Sequence, residues 1–156
     1  MSTDLSAYIS GTVDVLAWRG VKASGDVLLT DSLADDNSDG EICTGVQLVS
    51  QRFLLHLLNE TGSVRNNAAV GTDFMSALRQ GSIRTEADLR AAFTLAELTA
   101  RANLQREESA IDPDAERYLS ATLTSVSLVS GYAMLYVRLE TRATSVDVVL
   151  PVSIVV

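Results

Sequence analysis

The sequence predicts an α+β domain, and three observations carry that reading. Near the N-terminus a polar Asp/Asn/Gly segment separates two short β-rich runs. From about residue 46 to 108, apolar residues recur at helical spacing. After Arg117 the apolar period falls from about 3.6 to 2 and stays there. The expected order is an N-terminal β-hairpin, three helices and a C-terminal three-stranded antiparallel meander, with strands and helices segregated along the chain.

The elements follow in sequence. Residues 1–20 suit either a strand or a short helix interrupted by Gly11. "GDVLLTD" (25–31) reads as a strand and "EICTG" (41–45) as its return, which makes 26–45 a hairpin around a polar tip. "VQLVSQRFLLHLLNE" (46–60) carries Leu48, Phe53 (or Val49), Leu55 and Leu58 at helical spacing, and Asn59 and Gly62 supply a stop. A polar loop over 61–71 leads to a second helix, N-capped by Thr72 and ended by Gly81. The third helix starts at its N-cap Thr85, with Glu86 and Asp88 in the first turn. Its stripe of Leu89, Ala92/Phe93, Ala96, Ala100 and Leu104 runs to about residue 108, and "IDPDAER" ends it because Pro113 disfavours helix at the residue before it.

Three β-rich runs close the chain: "YLSATLTSVSLVS", "GYAMLYVRLET" and "SVDVVLPVSIVV". In the middle run Ala133, Leu135, Val137 and Leu139 share one face; Tyr132, Met134, Tyr136 and Arg138 share the other. In the last, Val146, Val148, Leu150, Val152, Ile154 and Val156 lie together. Pro151 has no N–H to give a ladder, which puts that strand at an edge or a bulge. Two readings stand for it: a central strand covered by the third helix, or an edge kept open for a strand of another protein.

Composition excludes several function classes. The chain has 156 residues, enough for one domain with a real core, and 47% of them are apolar. Its formal net charge is −8, and its 12 basic residues are scattered, so no phosphate-binding patch is expected. No apolar run approaches the roughly 20 residues that span a bilayer, and "MSTDLSAYIS" lacks the blocks of a signal peptide. One cysteine, Cys43, and one histidine, His56, leave no multi-thiolate or multi-imidazole metal site and no internal disulfide. No cofactor is expected.

One stretch imitates a metal site. In "DDNSDGEI" (35–42), Asp35, Asn37 and Asp39 alternate ahead of Gly40, like the first half of a calcium loop. Counted from Asp35, however, the ninth position is Cys43 and the twelfth is Val46, where a bidentate carboxylate is required. The stretch, with Asp31 and Asp36, reads as a solvated turn. Paired carboxylates for glycoside hydrolysis would come from Glu60, Asp73, Glu107, Glu108, Asp112 and Asp114. These sit at helix ends and turns, with Trp18 as the only tryptophan to platform a sugar. His56 lies between Leu55 and Leu57 in an apolar helix, as a structural histidine would.

"GDVLLTDSLADDNSDGEICTGVQLVSQRFLLHLLNETGSV", followed by "VGTDFMSAL", the turn at "IDPDAERY" and the closing "VVLPVSIVV", resembles the baseplate-wedge and sheath-initiator family of contractile phage tails. The resemblance covers residues 25–156 and sets 1–24 apart as a segment for a partner to order. It implies a sheath handshake-like sheet in a structural virion protein that docks on the baseplate wedge and nucleates sheath assembly by β-strand exchange. The implied partners are tail sheath subunits, wedge subunits and the tail tube, within a virion assembled in bacterial cytoplasm; neither nucleic acid nor membrane is among them. The strand-exchange residues are expected to be Val146, Val148, Leu150, Val152, Ile154 and Val156. Family members carry a Glu-Pro-Arg triplet before the meander, used in wedge docking. Here "Asp112-Pro113-Asp114-Ala115-Glu116-Arg117" stands in its place, so Asp112, Pro113 and Arg117 are the expected docking turn. The resemblance leaves two alternatives: a tail or tube adaptor without sheath contact, and a lysozyme-like hydrolase, a label the family has carried. The expectation is no enzyme.

Overall fold

The computed structural model describes residues 14–15, 42–43, 45–65, 67–129 and 132–153. Its elements are β1 (Asp14–Val15), β2 (Ile42–Cys43), α1 (Val46–Leu58), α2 (Phe74–Arg79), α3 (Glu86–Glu107), a 3-10 turn at Asp114–Glu116, β3 (Tyr118–Val129), β4 (Tyr132–Thr141) and β5 (Ser145–Ser153). The α+β class, the three helices and the antiparallel meander are as the sequence predicts. The hairpin expected over 26–45 lies largely outside the described residues, as does "DDNSDGE" with Asp31. Of its return strand, Ile42–Cys43 pairs antiparallel with Asp14–Val15.

α1 starts without a cap of its own. Gly45 turns the chain into the helix at φ 61°, and its N–H is donated 3.3 Å to Oε1 of Glu116, from the 3-10 turn. A carboxylate there also meets the positive end of the helix dipole. The helix ends at Asn59, whose N–H reaches the Leu55 carbonyl.

The segment after α1 doubles back. Glu60 and Thr72 form a parallel bridge, and the Thr72 N–H is donated 2.9 Å to the Asn59 carbonyl. Gly71, at φ 112°, makes this possible: a Cβ there would lie 2.5 Å from the Glu60 carbonyl oxygen. α2 therefore begins at Phe74 with Asp73 at its N-cap, which corrects the expected N-cap at Thr72. Thr72 is held extended by the bridge, and its buried hydroxyl bonds the Leu57 carbonyl and the Phe74 N–H.

α3 is self-sufficient at its start. Thr85 Oγ1 accepts from the Asp88 N–H while the Asp88 carboxylate accepts from the Thr85 N–H, a complete capping box. The hydrogen bond from Thr85, then those from the Arg84 and Thr85 backbone, hold the Asp88 carboxyl below the usual carboxylate range. The predicted stripe is the buried one: Leu89, Phe93, Ala96, Ala100 and Leu104 are all core.

β3, β4 and β5 form one sheet in that order, both pairs antiparallel. Ala133, Leu135, Val137 and Leu139 of β4 pair with Val152, Leu150, Val148 and Val146 of β5, and this set faces the helices. α3 packs on β3 and on α1, while α1 reaches β4 and β5. Phe53 joins the layers, stacking on Tyr118 with centroids 5.7 Å apart and meeting Phe93 edge-on at 6.3 Å. β3 is irregular, with register shifts between Tyr118 and Ser120 and between Leu123 and Ser125; β5 has none.

Candidate functional site: two unequal sheet edges

β4 is the central strand, so β3 and β5 each have an outer edge. In an antiparallel strand a residue's N–H and C=O point to the same side, and the side alternates along the chain. The Thr141 N–H reaches the Thr144 carbonyl, so the odd-numbered residues of β4 turn their backbone groups toward β5. The Tyr136 carbonyl receives the Thr124 hydroxyl of β3, so the even-numbered ones turn toward β3. Both observations give one phase. Val146, Val148, Leu150 and Val152 therefore exchange ladder bonds with β4, and Ser145, Asp147, Val149 and Pro151 face outward.

The same reasoning turns Ala121 and Leu123 of β3 outward, and there the edge is closed. The Ala121 N–H is donated 3.3 Å to Oε1 of Glu97, and Nη1 of Arg90 is donated 2.9 Å to the Leu123 carbonyl. Both closing side chains come from α3. With two bulges added, β3 is a protected edge. On β5, no described group bonds the outward backbone of Ser145, Asp147 or Val149. Among the described residues, one edge is shut and the other is open.

Glu97 is the buried polar centre of the closed side, at 4% exposure. Besides Ala121, it accepts from the Tyr118 hydroxyl at 2.8 Å and from Nε and Nη2 of Arg101. Burial, then the Glu97 carboxylate, push the Tyr118 phenol well above its ordinary pKa. An unfolded tyrosine ionises near pH ~10. Above that pH the unfolded chain holds fewer protons than the folded one, so stability falls as pH rises. The expected loss is about 1.4 kcal/mol in all between pH ~9 and ~11, steepest at the upper end, and Tyr118→Phe should remove it, read from urea midpoints across that window.

The expected strand-exchange residues divide. Val148, Leu150 and Val152 are buried in the core, and Val146 packs partly against it. Ile154 and Val156 lie outside the described residues. The open backbone belongs to the alternate set, and the sequence held the signal that finds it. Proline fits a ladder only with its nitrogen turned from the partner strand, so Pro151 fixes every odd position of β5 as outward.

On the outer face of the sheet, Asp147 pairs with Arg138 across β4 and β5 at 2.9 and 3.1 Å. The hydrogen bond from Arg138 holds the Asp147 carboxyl below its usual range. Met134 and Tyr136 face Pro151 and Val149 beside that pair.

The expected docking turn is brought together by its own bonds. Arg117 donates from Nε to the Asp112 carbonyl at 3.0 Å and from Nη2 to the Ala110 carbonyl at 2.7 Å. The Asp112 carboxylate accepts from the Ser109 N–H, and the Pro113 carbonyl accepts from the Glu116 N–H. Ile111 stands at the tip, 86% exposed. The guanidinium therefore shapes the turn.

Most of the other candidate acids have partners among the described residues. Glu60 pairs with Arg79, Asp73 accepts from the Thr61 hydroxyl, and Glu108 accepts from the Tyr118 N–H. His56 is buried; its Nδ1 accepts from the Gly71 N–H, and Nε2 lies 3.6 Å from Glu107. A groove of about 190 Å³ between α2 and α3, lined by Asp73, Phe74, Ala77, Ala92, Leu95, Ala96 and Thr99, holds one carboxylate. No described helix is long and apolar enough to cross a membrane. Comparison with family models, curated proteins and solved structures finds no match for this chain.

Proposed function

We propose that this chain is a structural protein of a contractile tail baseplate that docks on the wedge and starts sheath assembly by accepting a strand on β5. The observation that carries the proposal is the inequality of the two sheet edges. α3 shuts β3 with Glu97 and Arg90, while β5 is regular and no described group bonds its outer row. Isolated proteins normally blunt such a row, and β-augmentation is the binding mode that uses it. The sheath subunit is the partner that the family resemblance implies, and the virion baseplate is the corresponding location. A non-enzymatic role accompanies this reading: Glu60, Asp73, Glu107, Glu108 and Asp112 each have a partner within the chain, and His56 is buried.

The test is retention of the sheath subunit encoded in the same genome. Stopping the chain after Ser145 would take Val148, Leu150 and Val152 out of the core, so the better variant is Val149→Pro. It removes an outward donor and no ladder bond to β4. The full chain should retain sheath, and Val149→Pro should lose it with an unchanged circular dichroism spectrum. Sheath retained equally by both would move the contact off β5; none retained by the full chain would favour the adaptor. Arg117→Ala should weaken retention of a wedge subunit and lower stability by about 2 kcal/mol, since two charged hydrogen bonds are lost. Unchanged wedge affinity would remove Asp112, Pro113 and Arg117 from the docking surface.

A further inference from the structure

The open edge also defines what can sit on it. We infer that β5 takes an extended segment with a basic side chain beside Asp147 and apolar side chains on its inward positions, in a register that ends at Pro151. This rests on the proposed strand-accepting role and adds the chemistry of the strand.

Register comes first. The outward residues of β5 are Ser145, Asp147, Val149 and Pro151, and the last has no N–H. An incoming strand finds both a donor and an acceptor at Ser145, Asp147 and Val149, but only a carbonyl at Pro151. Its continuous ladder therefore spans Ser145–Val149. Pro151 disturbs nothing toward β4, because its nitrogen already faces away. Its effect falls on the partner alone: it limits how far a foreign strand can slide or extend.

Side-chain chemistry follows from the rows that cross the sheet. Thr122, Arg138 and Asp147 form one outer row, one residue from each strand. Asp147 ends that row, its side chain 67% exposed, with Arg138 on one flank and the open edge on the other. A carboxylate has lone pairs for more than one cation, so a Lys or Arg on the incoming strand completes a cation–carboxylate–cation row. An acidic residue there faces Asp147 directly, which is unfavourable. The net charge of −8 favours a basic segment at encounter as well. The inner row continues Val148 and Leu150 of the core face, so inward positions are apolar. A hydrophobic face with one placed cation also gives register, because a slip of one residue reverses both.

The experiment uses the full chain, isotope-labelled, and two short capped peptides read by NMR. Both alternate valine with threonine; the central threonine is replaced by lysine in one and by glutamate in the other. The lysine peptide should shift and protect the amides of Asp147 and Val149 while leaving Val148 and Leu150, already bonded to β4, unprotected further. The glutamate peptide should bind about fivefold more weakly, as expected when one cross-strand charge pair changes sign. Asp147→Lys should reverse that preference. Pro151→Val should extend protection to the new amide. Equal affinity for the two peptides, no reversal in Asp147→Lys, perturbation confined to β3, or no binding at all would overturn the inference. The sheath experiment reads the functional role independently: sheath bound with no peptide preference would sink the charge rule and keep the role. A clear preference with no sheath bound would do the opposite.

Discussion

Glu97→Ala is expected to lower stability by about 4 kcal/mol, read as a shift in the urea midpoint with an unchanged slope. Breaking a buried, hydrogen-bonded ion pair from one side costs about 3–5 kcal/mol, because the groups left behind cannot return to water. Here the Tyr118 hydroxyl and the Ala121 N–H lose their acceptor inside the protein, and Arg101 loses its three bonds to the carboxylate. Glu97→Gln keeps an acceptor for Tyr118 and should recover part of the stability. If Glu97→Ala costs less than about 1 kcal/mol, the carboxylate is not what holds α3 to β3.

Phe53→Ala is the other large effect, expected at about 4 kcal/mol, in the range for removing a buried phenyl ring. Phe53 is 1% exposed and stands where α1, α3 and β3 converge, against Phe93 and Tyr118. The space left is bounded by rings on separate elements, which cannot all close in together. Phe53→Leu should restore more than half of the loss. Calorimetry of the three proteins would show it as a graded series. A cost near that of an exposed position would mean the ring stack does not organise the core.

Much of this could be read from the chain. The change of period after Arg117 gives the meander, and Thr85 with Asp88 gives the start of α3, because both signals are local. The core stripe was legible too, and it contained a warning. Leu89, Phe93 and Glu97 are spaced by four, so Glu97 lies in the apolar stripe, where a carboxylate must have buried partners. One partner, Arg101, is a local i,i+4 neighbour, but Tyr118 and Ala121 come from β3, more than twenty residues on, and no local pattern names them. Thr72 illustrates the converse. As a local N-cap signal it is good, but the return of the chain at Gly71 draws it into a bridge with Glu60. For the edge, alternation identified the buried half of β5, whereas the exposed half is the one with backbone to offer. Pro151 distinguishes the two only once its nitrogen is treated as a statement about phase.

The cap on α1 also bears on the order in which the molecule assembles itself. A helix of 13 residues is marginal alone in water, and this one has no side chain of its own at its start. The group that secures its first turn is 71 residues away along the chain. α3 has its capping box within four residues and can hold a first turn in the unfolded ensemble. Closing a long loop is slow relative to such local events. The two neighbouring helices therefore keep different clocks: α3 can be present before the core exists, whereas α1 is locked only when the chain has come round to meet it.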